Sequence, residues 1–427
     1  MKIAIIGGGY TGLAASYFLS KNKKVEITLL EKEKALGGLA SGFKEKGWNW
    51  SLDRYYHHIF ATDSDILELT KEVNCKLNFI RPKTSVFYSG KIYSFDSALD
   101  LILFPHMSTI ARIRTGLTII FLKIANDWKS LEKITAEKFI LKTAGEESWK
   151  VIWHHLFNSK FGESASEVPA SWFWSRIKKR GRVFGYPVGG FDALTEAIVK
   201  KIDKKRVEFV LNTEVKSITK DKSKITITSN NGRFENFDKV VCTLSAKDFV
   251  KITPELPHDY TNQLNKLRSR GTVNLILSLK KQFLTDDTYW LNINDKEFPF
   301  IGIVEQTNFI SRSKYGGDYI IHIVNYLSDD HPFFKFNEKE LIKKFSSHLK
   351  KINPEFDESW IKKSWVFKSS FAQPVFSLNY SKIAPPIKTP LKNIYLANMQ
   401  QVYPWDRQTN YAVELGKKVC NTILKSS

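Results

Sequence analysis

Cysteine is scarce in this chain of 427 residues, and the three that occur, Cys75, Cys242 and Cys420, lie far apart. An odd number of widely spaced thiols argues against a disulfide framework and against a cysteine-based metal site. No Ser-His-Asp or H-E-x-x-H motif offers hydrolytic chemistry either. We therefore expect a reducing compartment, the cytoplasm, and no bound metal.

Acidic residues are in the minority, with 44 Asp and Glu against 65 Lys and Arg, and the formal net charge is +21. Such a balance favours anionic partners, namely nucleic acid, acidic lipid surfaces or phosphorylated substrates. Most of the basic residues are scattered lysines, and the sequence contains no zinc-finger, helix-turn-helix or RNA-binding signature. We therefore expect no nucleic-acid partner and interpret most of the lysines as a solvated surface.

Long uncharged runs are almost absent. Residues 3–20 carry no charge and resemble a signal peptide at first sight, but the consecutive glycines Gly7, Gly8 and Gly9 would break an apolar membrane helix. No other run approaches the ~20 apolar residues that cross a bilayer, so no membrane-spanning helix is predicted. With 42% apolar and 13% aromatic residues, the composition is typical of a folded, water-soluble protein of two or three domains.

The N-terminus instead contains a glycine-rich turn between apolar segments. Residues 2–6 read as a buried strand, the spacing G-x-G-x-x-G begins at Gly7, and a helix and a second strand follow, ending at Glu31. Gly7 permits the tight turn, Gly9 lets the backbone approach a pyrophosphate, and Gly12 allows close packing of helix on strand. The free N–H groups of the helix would face the phosphates, and Glu31 would accept hydrogen bonds from ribose hydroxyls. The pattern predicts a Rossmann-type dinucleotide site.

A second glycine pair, Gly37 and Gly38, follows the acidic end of the second strand. This pair distinguishes a flavin-binding site from a nicotinamide-binding site. The run from Glu31 to Ala40 resembles the E-x-x-x-x-x-G-G motif of FAD proteins in the amine oxidase, protoporphyrinogen oxidase and UDP-galactopyranose mutase superfamily. Leu39 and Ala40 are closer to the mutases, because the amine oxidases usually have Arg after the glycines. The resemblance implies FAD as the cofactor. It also implies an α/β fold with a Rossmann-type FAD-binding domain, a helical substrate domain and a mixed or antiparallel β-sheet domain.

Further cofactor contacts follow from the same resemblance. In the family, the backbone of a valine, here Val215, lies against adenine. Asn398 stands where the family commonly has Asp to bind a ribityl or ribose hydroxyl, and a helix that begins near Thr409 would face the pyrimidine edge of the flavin. The resemblance thus implies the cofactor-binding set Gly7, Gly9, Tyr10, Thr11, Gly12, Glu31, Lys32, Gly38, Leu39, Ala40, Val215, Asn398, Thr409 and Asn410.

The segment at residues 55–60 (YYHHIF) is similar to a mutase segment that lies beside the flavin. On that match His58 is near the flavin ring, and it is our candidate catalytic residue. The alternative is that His57 and His58 are ordinary half-buried strand residues. Because neighbouring strand residues point to opposite faces, we expect only one of the two histidines at the site.

A second match to the mutases covers residues 147–177, where a mutase Trp packs on uracil and nearby arginines hold the diphosphate. Phe161 occupies the position of that Trp. Arg176 and Arg180 are one helical turn apart, so they share a face and could clamp an anion, unless they belong to a solvated basic face. The expected substrate-binding set is Tyr56, Phe161, Arg176, Arg180, Tyr403 and Arg407.

The domains are expected to interlock along the chain. The flavin domain is predicted at residues 1–62, 184–250 and 392–427, and the helical domain at 97–183. The mixed sheet domain is predicted at 63–96 and 251–391. Helix signals support the helical domain, including Thr135 as an N-cap, and strand runs at 272–279, 298–304, 319–326 and 360–367 support the sheet.

The substrate itself does not follow from the resemblance. At two positions where the mutases have arginine, this chain has Gly302 and then His322 or Ile323. The leading hypothesis is therefore an FAD-dependent oxidoreductase acting on a bulky anionic small molecule, with nucleotide-linked and lipid-linked substrates both open. The alternatives are a flavin-dependent sugar mutase without net redox and a flavin-binding module without turnover. The oligomeric state is left open.

The segment at residues 99–122 combines apolar residues with Arg112 and Arg114. A basic amphipathic helix of this kind can lie on an anionic bilayer surface, which predicts peripheral and salt-sensitive membrane contact. The same periodicity also suits the core of a helical bundle. Only the exposure of the apolar side chains distinguishes the two interpretations.

Overall fold

The centre of the fold is a five-stranded parallel sheet. In this computed structural model, which describes residues 1–221 and 224–425, the strand order is Val207–Val210, Glu26–Leu30, Lys2–Ile6, Lys239–Cys242 and Ile394–Leu396. Their apolar residues are mostly buried, as parallel strands covered by helices require. The strands come from the three stretches that we propose as the flavin domain, of which positions 222–223 and 426–427 lie outside the described residues. The predicted α/β fold is confirmed.

Two helices begin at the carboxyl edge of this sheet. Helix Tyr10–Ser20 follows the strand Lys2–Ile6, and helix Thr409–Lys425 follows the strand Ile394–Leu396. The two helices pack closely because Gly416 has no side chain, and a Cβ there would lie 2.7 Å from the Cβ of Ala14. In open α/β sheets, ligands bind outside the carboxyl ends of the strands. The fold therefore places both helix N-termini where a cofactor is expected.

A seven-stranded mixed sheet forms the second large layer. Its strand order is Ile361–Val375, Arg268–Leu279, Tyr319–Val324, Gly302–Glu305, Thr288–Ile293, Lys83–Tyr88 and Lys91–Ser94. Neighbouring strands are antiparallel except Thr288–Ile293 and Lys83–Tyr88, which are parallel. The four predicted strand runs of the sheet domain all fall within this sheet, although the second begins only at Gly302.

Three smaller sheets connect these layers. One contains Val215–Asp221, Lys224–Ser229 and Gly232–Phe237, a second contains Ile59–Phe60, Phe184–Pro187 and Leu77–Ile80, and a third contains Gly42–Phe43 and Leu52–Asp53. The second sheet positions the predicted site segment, because its strand Ile59–Phe60 begins directly after His58 and pairs with Phe184–Pro187.

The helical layer runs from residue 98 to residue 179. It comprises Ala98–Leu103, Thr109–Ile124, Trp128–Leu131, Ala136–Thr143, Glu146–Ser148, the π-helical turn Trp149–Trp153, His154–Phe161 and Ala170–Lys179. The predicted N-cap is confirmed, since the Thr135 side chain accepts a hydrogen bond from the Lys138 N–H. The single amphipathic helix expected over 99–122 is wrong. It is two helices, because Pro105 disfavours helical backbone at the residue before it.

The remaining helices cover the sheets from the outside. They are Ser64–Glu72, Phe191–Lys201, Ala246–Ile252, His258–Asn265 and Glu338–Ile352. Across residues 1–221 and 224–425, no helix combines the length and the apolar composition that crossing a bilayer requires.

Candidate active site

A cavity of about 1070 Å³ lies where the parallel sheet, the mixed sheet and the helical layer meet. Ligand pockets usually measure about 300–1,000 Å³, so this one has room for a large ligand. The first glycine turn lines one part of it, and the predicted residues His58, Arg176 and Arg180 line another. The two halves of the predicted site therefore share one cavity.

The two glycine segments meet backbone to backbone on the cavity wall. Gly9 is the N-cap of helix Tyr10–Ser20. A Cβ added to Gly38 would lie 2.9 Å from the Cα of Gly9. Gly7 has a φ of +103°, which favours glycine. Gly12 does not line the cavity, and a Cβ there would lie 2.0 Å from the Gly7 oxygen, as close packing of helix on strand predicts.

Glu31 is buried at the end of the second strand and lines the same cavity. Its Oε2 accepts a hydrogen bond from the Gly8 N–H at 2.6 Å, and its Oε1 accepts one from the Glu33 N–H at 2.9 Å. A carboxylate offers about four lone-pair sites. After these two backbone hydrogen bonds, the Glu31 carboxylate therefore still has acceptor capacity for the hydroxyls of a ribose.

These residues fit FAD. A Cβ on Gly9 would approach no protein atom closer than the Gly38 Cα at 3.8 Å, so the glycine leaves open space beside a helix N-terminus, where a pyrophosphate binds favourably. Val215 lies on the cavity wall at the first position of its strand, and Thr409 lies there at the start of the C-terminal helix. Other predicted cofactor residues on the wall are Tyr10, Thr11, Lys32, Leu39 and Ala40.

Besides Gly12, two predicted cofactor residues lie off the cavity wall, Asn398 and Asn410. The Asn398 side chain donates a hydrogen bond to the Leu244 oxygen and accepts one from the Gln400 N–H, which holds a short 3₁₀ turn. Asn410 accepts a hydrogen bond from the Ile66 N–H. Both amides therefore make structural contacts beside the site.

Both histidines of the YYHHIF segment line the cavity, contrary to the expectation that only one would. Strand alternation does not apply, because the strand begins only at Ile59. The His58 ring stacks on Phe184 with ring centroids 4.2 Å apart, and its buried Nδ1 has no hydrogen-bond partner among the described residues. Burial, together with the charges of Arg180 and Arg176, lowers the pKa of His58 to about 3. The His58 imidazole is therefore neutral at physiological pH.

A buried carboxylate that the sequence did not suggest, Asp406, is the centre of a polar network on the cavity wall. It accepts hydrogen bonds from Lys160 at 3.2 Å and from Arg176 at 3.0 Å. Trp172 and Gln373 donate to its other oxygen. Burial opposes ionisation, but the charges of Lys160, Arg176 and Arg407 outweigh it and hold the pKa of Asp406 well below its usual range. The carboxylate thus fixes Arg176 on the wall.

A tyrosine pair adjoins this network. The hydroxyls of Tyr56 and Tyr326 lie 2.8 Å apart, and Arg407 donates a hydrogen bond to Tyr326. Burial raises the pKa of Tyr56 well above its usual range. For Tyr326 burial acts in the same direction, but the charges of Arg407 and Lys160 outweigh it and lower the pKa of its hydroxyl. The two hydroxyls therefore share one hydrogen bond on the cavity wall.

Two residues of the predicted substrate set point elsewhere. Phe161 is fully buried in the helical core, edge-on to Trp172, because its helix turns this side inward. The Tyr403 hydroxyl bonds to Ser171, and its ring packs against Phe376 and Tyr380. Neither lines the cavity, whereas Tyr56, Arg176, Arg180 and Arg407 do.

His322, which shares with Ile323 the candidate position for a mutase arginine, is completely buried in the mixed sheet and does not line the cavity. Its Nδ1 lies 3.0 Å from the Nδ2 of Asn274. Burial, aided by the charge of His57, lowers the pKa of His322 to about 3.

This burial predicts acid sensitivity. Unfolded His322 binds a proton near pH 6.5 whereas folded His322 does so only near pH 3, so below pH 6.5 the unfolded state binds more protons. Its contribution to the free energy of unfolding is full above pH 6.5 and falls by about 1.4 kcal/mol per pH unit below it. The urea midpoint of the wild type should drop more steeply from pH 7 to pH 5 than that of His322→Asn. Equal slopes would contradict this assignment.

Comparison with known proteins agrees with this geometry. The sequence pattern of the family described as "Flavin containing amine oxidoreductase" matches residues 10–424, and the chain belongs to this family. It is 21% identical over 471 residues to the flavin-containing amine oxidase A of Bos taurus, covering 99% of this chain and 85% of that protein.

Solved structures show the same fold. A protein from Exiguobacterium sp. 255-15, provisionally described as a protoporphyrinogen oxidase, has a TM-score of 0.78 at 16% identity, covering 100% of this chain and 99% of the other. Reduced UDP-galactopyranose mutase has a TM-score of 0.75 at 16% identity, covering 100% and 96%. The predicted superfamily is confirmed.

The protein is therefore an FAD-dependent oxidoreductase of the amine oxidase-like superfamily. Two-electron oxidation is the chemistry that FAD supplies when bound. The first glycine turn and Glu31 line one part of the cavity, and His58, Arg176 and the tyrosine pair line another.

Proposed function

We propose that this oxidoreductase acts on a bulky anionic small molecule, which binds against Arg176 and Arg180. The observation that carries the proposal is the charge of the cavity wall. Nine basic side chains line the cavity against six acidic ones, and the basic ones include Arg54, Lys160, Arg176, Arg180 and Arg407. Although Asp406 pairs with Lys160 and Arg176, the wall keeps an excess of positive charge.

This excess disfavours a protonated amine. A cation brought among like charges in a partly buried site is repelled, and it also gives up its hydration. An anion gains charge-assisted hydrogen bonds instead. The buried Nε of Arg54 has no hydrogen-bond partner in the described part of the chain, which leaves a donor for such a ligand. The arrangement supports an acid substrate over an amine substrate.

The individual residues have distinct proposed roles. Arg180 is exposed and lines the cavity, so it would attract the anion at the mouth. Arg176 is held by Asp406 and would bind the anionic group deeper inside. Neutral His58, stacked on Phe184, would orient the reacting part of the substrate.

Replacement of Arg176 by Ala tests this assignment. We expect the affinity for benzoate and pyrophosphate, measured by perturbation of the absorbance of bound flavin, to fall by roughly 10- to 150-fold, the effect of removing about 1.5–3 kcal/mol of binding free energy. FAD content should stay unchanged, because Arg176 belongs to the proposed substrate wall. The control is Arg182→Ala, which removes a nearby arginine that does not line the cavity. Unchanged anion affinity in Arg176→Ala, or binding of putrescine with higher affinity than benzoate, would contradict the proposal.

A further inference from the structure

The helical layer exposes an unusual amount of apolar surface. Nine of the thirteen large apolar side chains that are exposed in residues 1–221 and 224–425 lie on two consecutive helices, with exposures of 51–72%. Helix Thr109–Ile124 contributes Ile110, Ile113, Leu117, Ile120, Phe121 and Ile124. Helix Ala98–Leu103 adds Leu99, Ile102 and Leu103. We refer to these nine side chains as the apolar face.

On helix Thr109–Ile124 the apolar face forms one stripe and not a scatter of single residues. Ile110, Ile113, Leu117, Ile120 and Ile124 follow alternating steps of three and four residues, which places them on one side of the helix. The opposite side of the helix packs against the protein, since its residues Ala111, Thr115, Thr118 and Leu122 are buried. An ordinary surface helix has its polar residues on the solvent side. This helix is therefore apolar on the side that faces away from the protein.

A basic segment adjoins one end of the apolar face. The Lys178 ammonium donates hydrogen bonds to the backbone oxygens of Lys123 and Ile124, and Lys123 donates to the Arg180 oxygen. The stretch from 168 to 191 contains no acidic residue. Its basic residues are Arg176, Lys178, Lys179, Arg180 and Arg182. The surface next to the apolar face is thus positively charged.

We propose that the apolar face is the docking surface for an anionic lipid bilayer, on which the chain lies without spanning it. Apolar side chains would enter the acyl boundary while the basic segment contacts anionic headgroups, the combination that interfacial helices use. A second copy of the chain is the less favourable occupant. A two-fold contact with parallel helices would bring the two basic segments together, and their like charges would oppose association.

Docking also has a consequence for access to the site. Arg180 belongs both to the basic segment and to the cavity wall. A chain that lies on its apolar face would hold this end of the cavity near the headgroups. The docking proposal itself rests on exposure and charge and does not depend on the proposed substrate.

The test is flotation of the FAD-loaded protein with two kinds of vesicle, phosphatidylcholine alone and phosphatidylcholine with phosphatidylglycerol. We expect recovery with the anionic vesicles at low ionic strength and a strong decrease at high ionic strength, because salt screens the attraction. The double variant Ile113→Asp/Leu117→Asp should reduce the partition coefficient by roughly a hundredfold, since two apolar side chains no longer enter the bilayer and two negative charges are added. The control variant Leu378→Asp changes an exposed apolar residue outside the apolar face and should partition like the wild type.

Flavin content and the thermal midpoint of the double variant show that it is folded. Three results would overturn the proposal. The first is the absence of wild-type flotation with anionic vesicles at low ionic strength, and the second is undiminished flotation of the double variant. The third is a concentration-dependent dimer that the double variant abolishes, because a second copy would then cover the apolar face. None of these measurements involves the substrate, so they are independent of the Arg176 experiment.

Discussion

The variant Gly9→Val is expected to fold and to purify without FAD. The backbone of Gly9 has a φ of −70°, which Val can adopt. A Cβ there would meet no protein atom closer than 3.8 Å, so the added side chain enters the cavity and not the protein interior. It would occupy the space beside the helix N-terminus that a pyrophosphate requires. A displaced pyrophosphate loses charge-assisted hydrogen bonds to the backbone N–H groups, and the loss of one such bond alone weakens binding by roughly 10- to 150-fold.

The measurement is the ratio of flavin absorbance to protein absorbance, together with the thermal midpoint. Gly116→Val is the matched control, because a Cβ at Gly116 also has room, with Leu101 at 3.9 Å, but does not line the cavity. We expect native flavin content in Gly116→Val and colourless protein in Gly9→Val. Gly9→Val with full flavin content would place the pyrophosphate elsewhere.

The variant Asp406→Ala is expected to lower the free energy of unfolding by about 3–5 kcal/mol. Removal of the carboxylate leaves the Lys160 ammonium buried, with its side chain 13% exposed, and takes away the acceptor for Trp172 and Gln373. Removal of one partner of a buried ion pair lowers the free energy of unfolding strongly, because the remaining charge then has neither hydration nor a partner.

Urea denaturation of the FAD-loaded protein measures this effect. The double variant Asp406→Ala/Lys160→Met removes both charges and should restore a large part of the stability, as a double-mutant cycle on a coupled pair predicts. A decrease below about 1 kcal/mol in Asp406→Ala would show that the network contributes little, since surface ion pairs have effects of that size.

The arrangement of the proposed cofactor half could be predicted from the sequence because its determinants are local. Gly7, Gly9 and Glu31 stand at fixed spacing around one strand and one helix, so a single segment of sequence defines their arrangement. The glycine pair at 37–38 also meets the first turn in space, where a Cβ on Gly38 would lie 2.9 Å from the Gly9 Cα.

The substrate half could be predicted only in part. Lys160 and Asp406 are 246 positions apart, and the packing of the helical layer against the C-terminal segment brings them together. No pattern in the sequence connects such positions. One signal in the sequence could have indicated the network. It is the charged pair Asp406 and Arg407, which lies in an otherwise polar and aromatic segment just before the C-terminal helix.

Local structure explains the other differences. Arg176 and Arg180 were expected on one helical face, but the helix ends at Lys179, and Arg180 reaches the cavity from extended backbone. His57 and His58 share the cavity because they precede their strand. Phe161 lies in the core because helical periodicity alone does not say which side of a helix faces a ligand.

We propose that the enzyme oxidises an anionic substrate in this cavity. The most direct test mixes the FAD-loaded protein anaerobically with small molecules of a cell extract that ion exchange has separated into anionic and cationic fractions. The absorbance of oxidised flavin near its visible maximum is then followed. We predict that the anionic fraction bleaches the flavin and that Arg176→Ala slows this bleaching. Bleaching by the cationic fraction alone, or a flavin that stays oxidised with every fraction, would show that the substrate is not an anion of this kind.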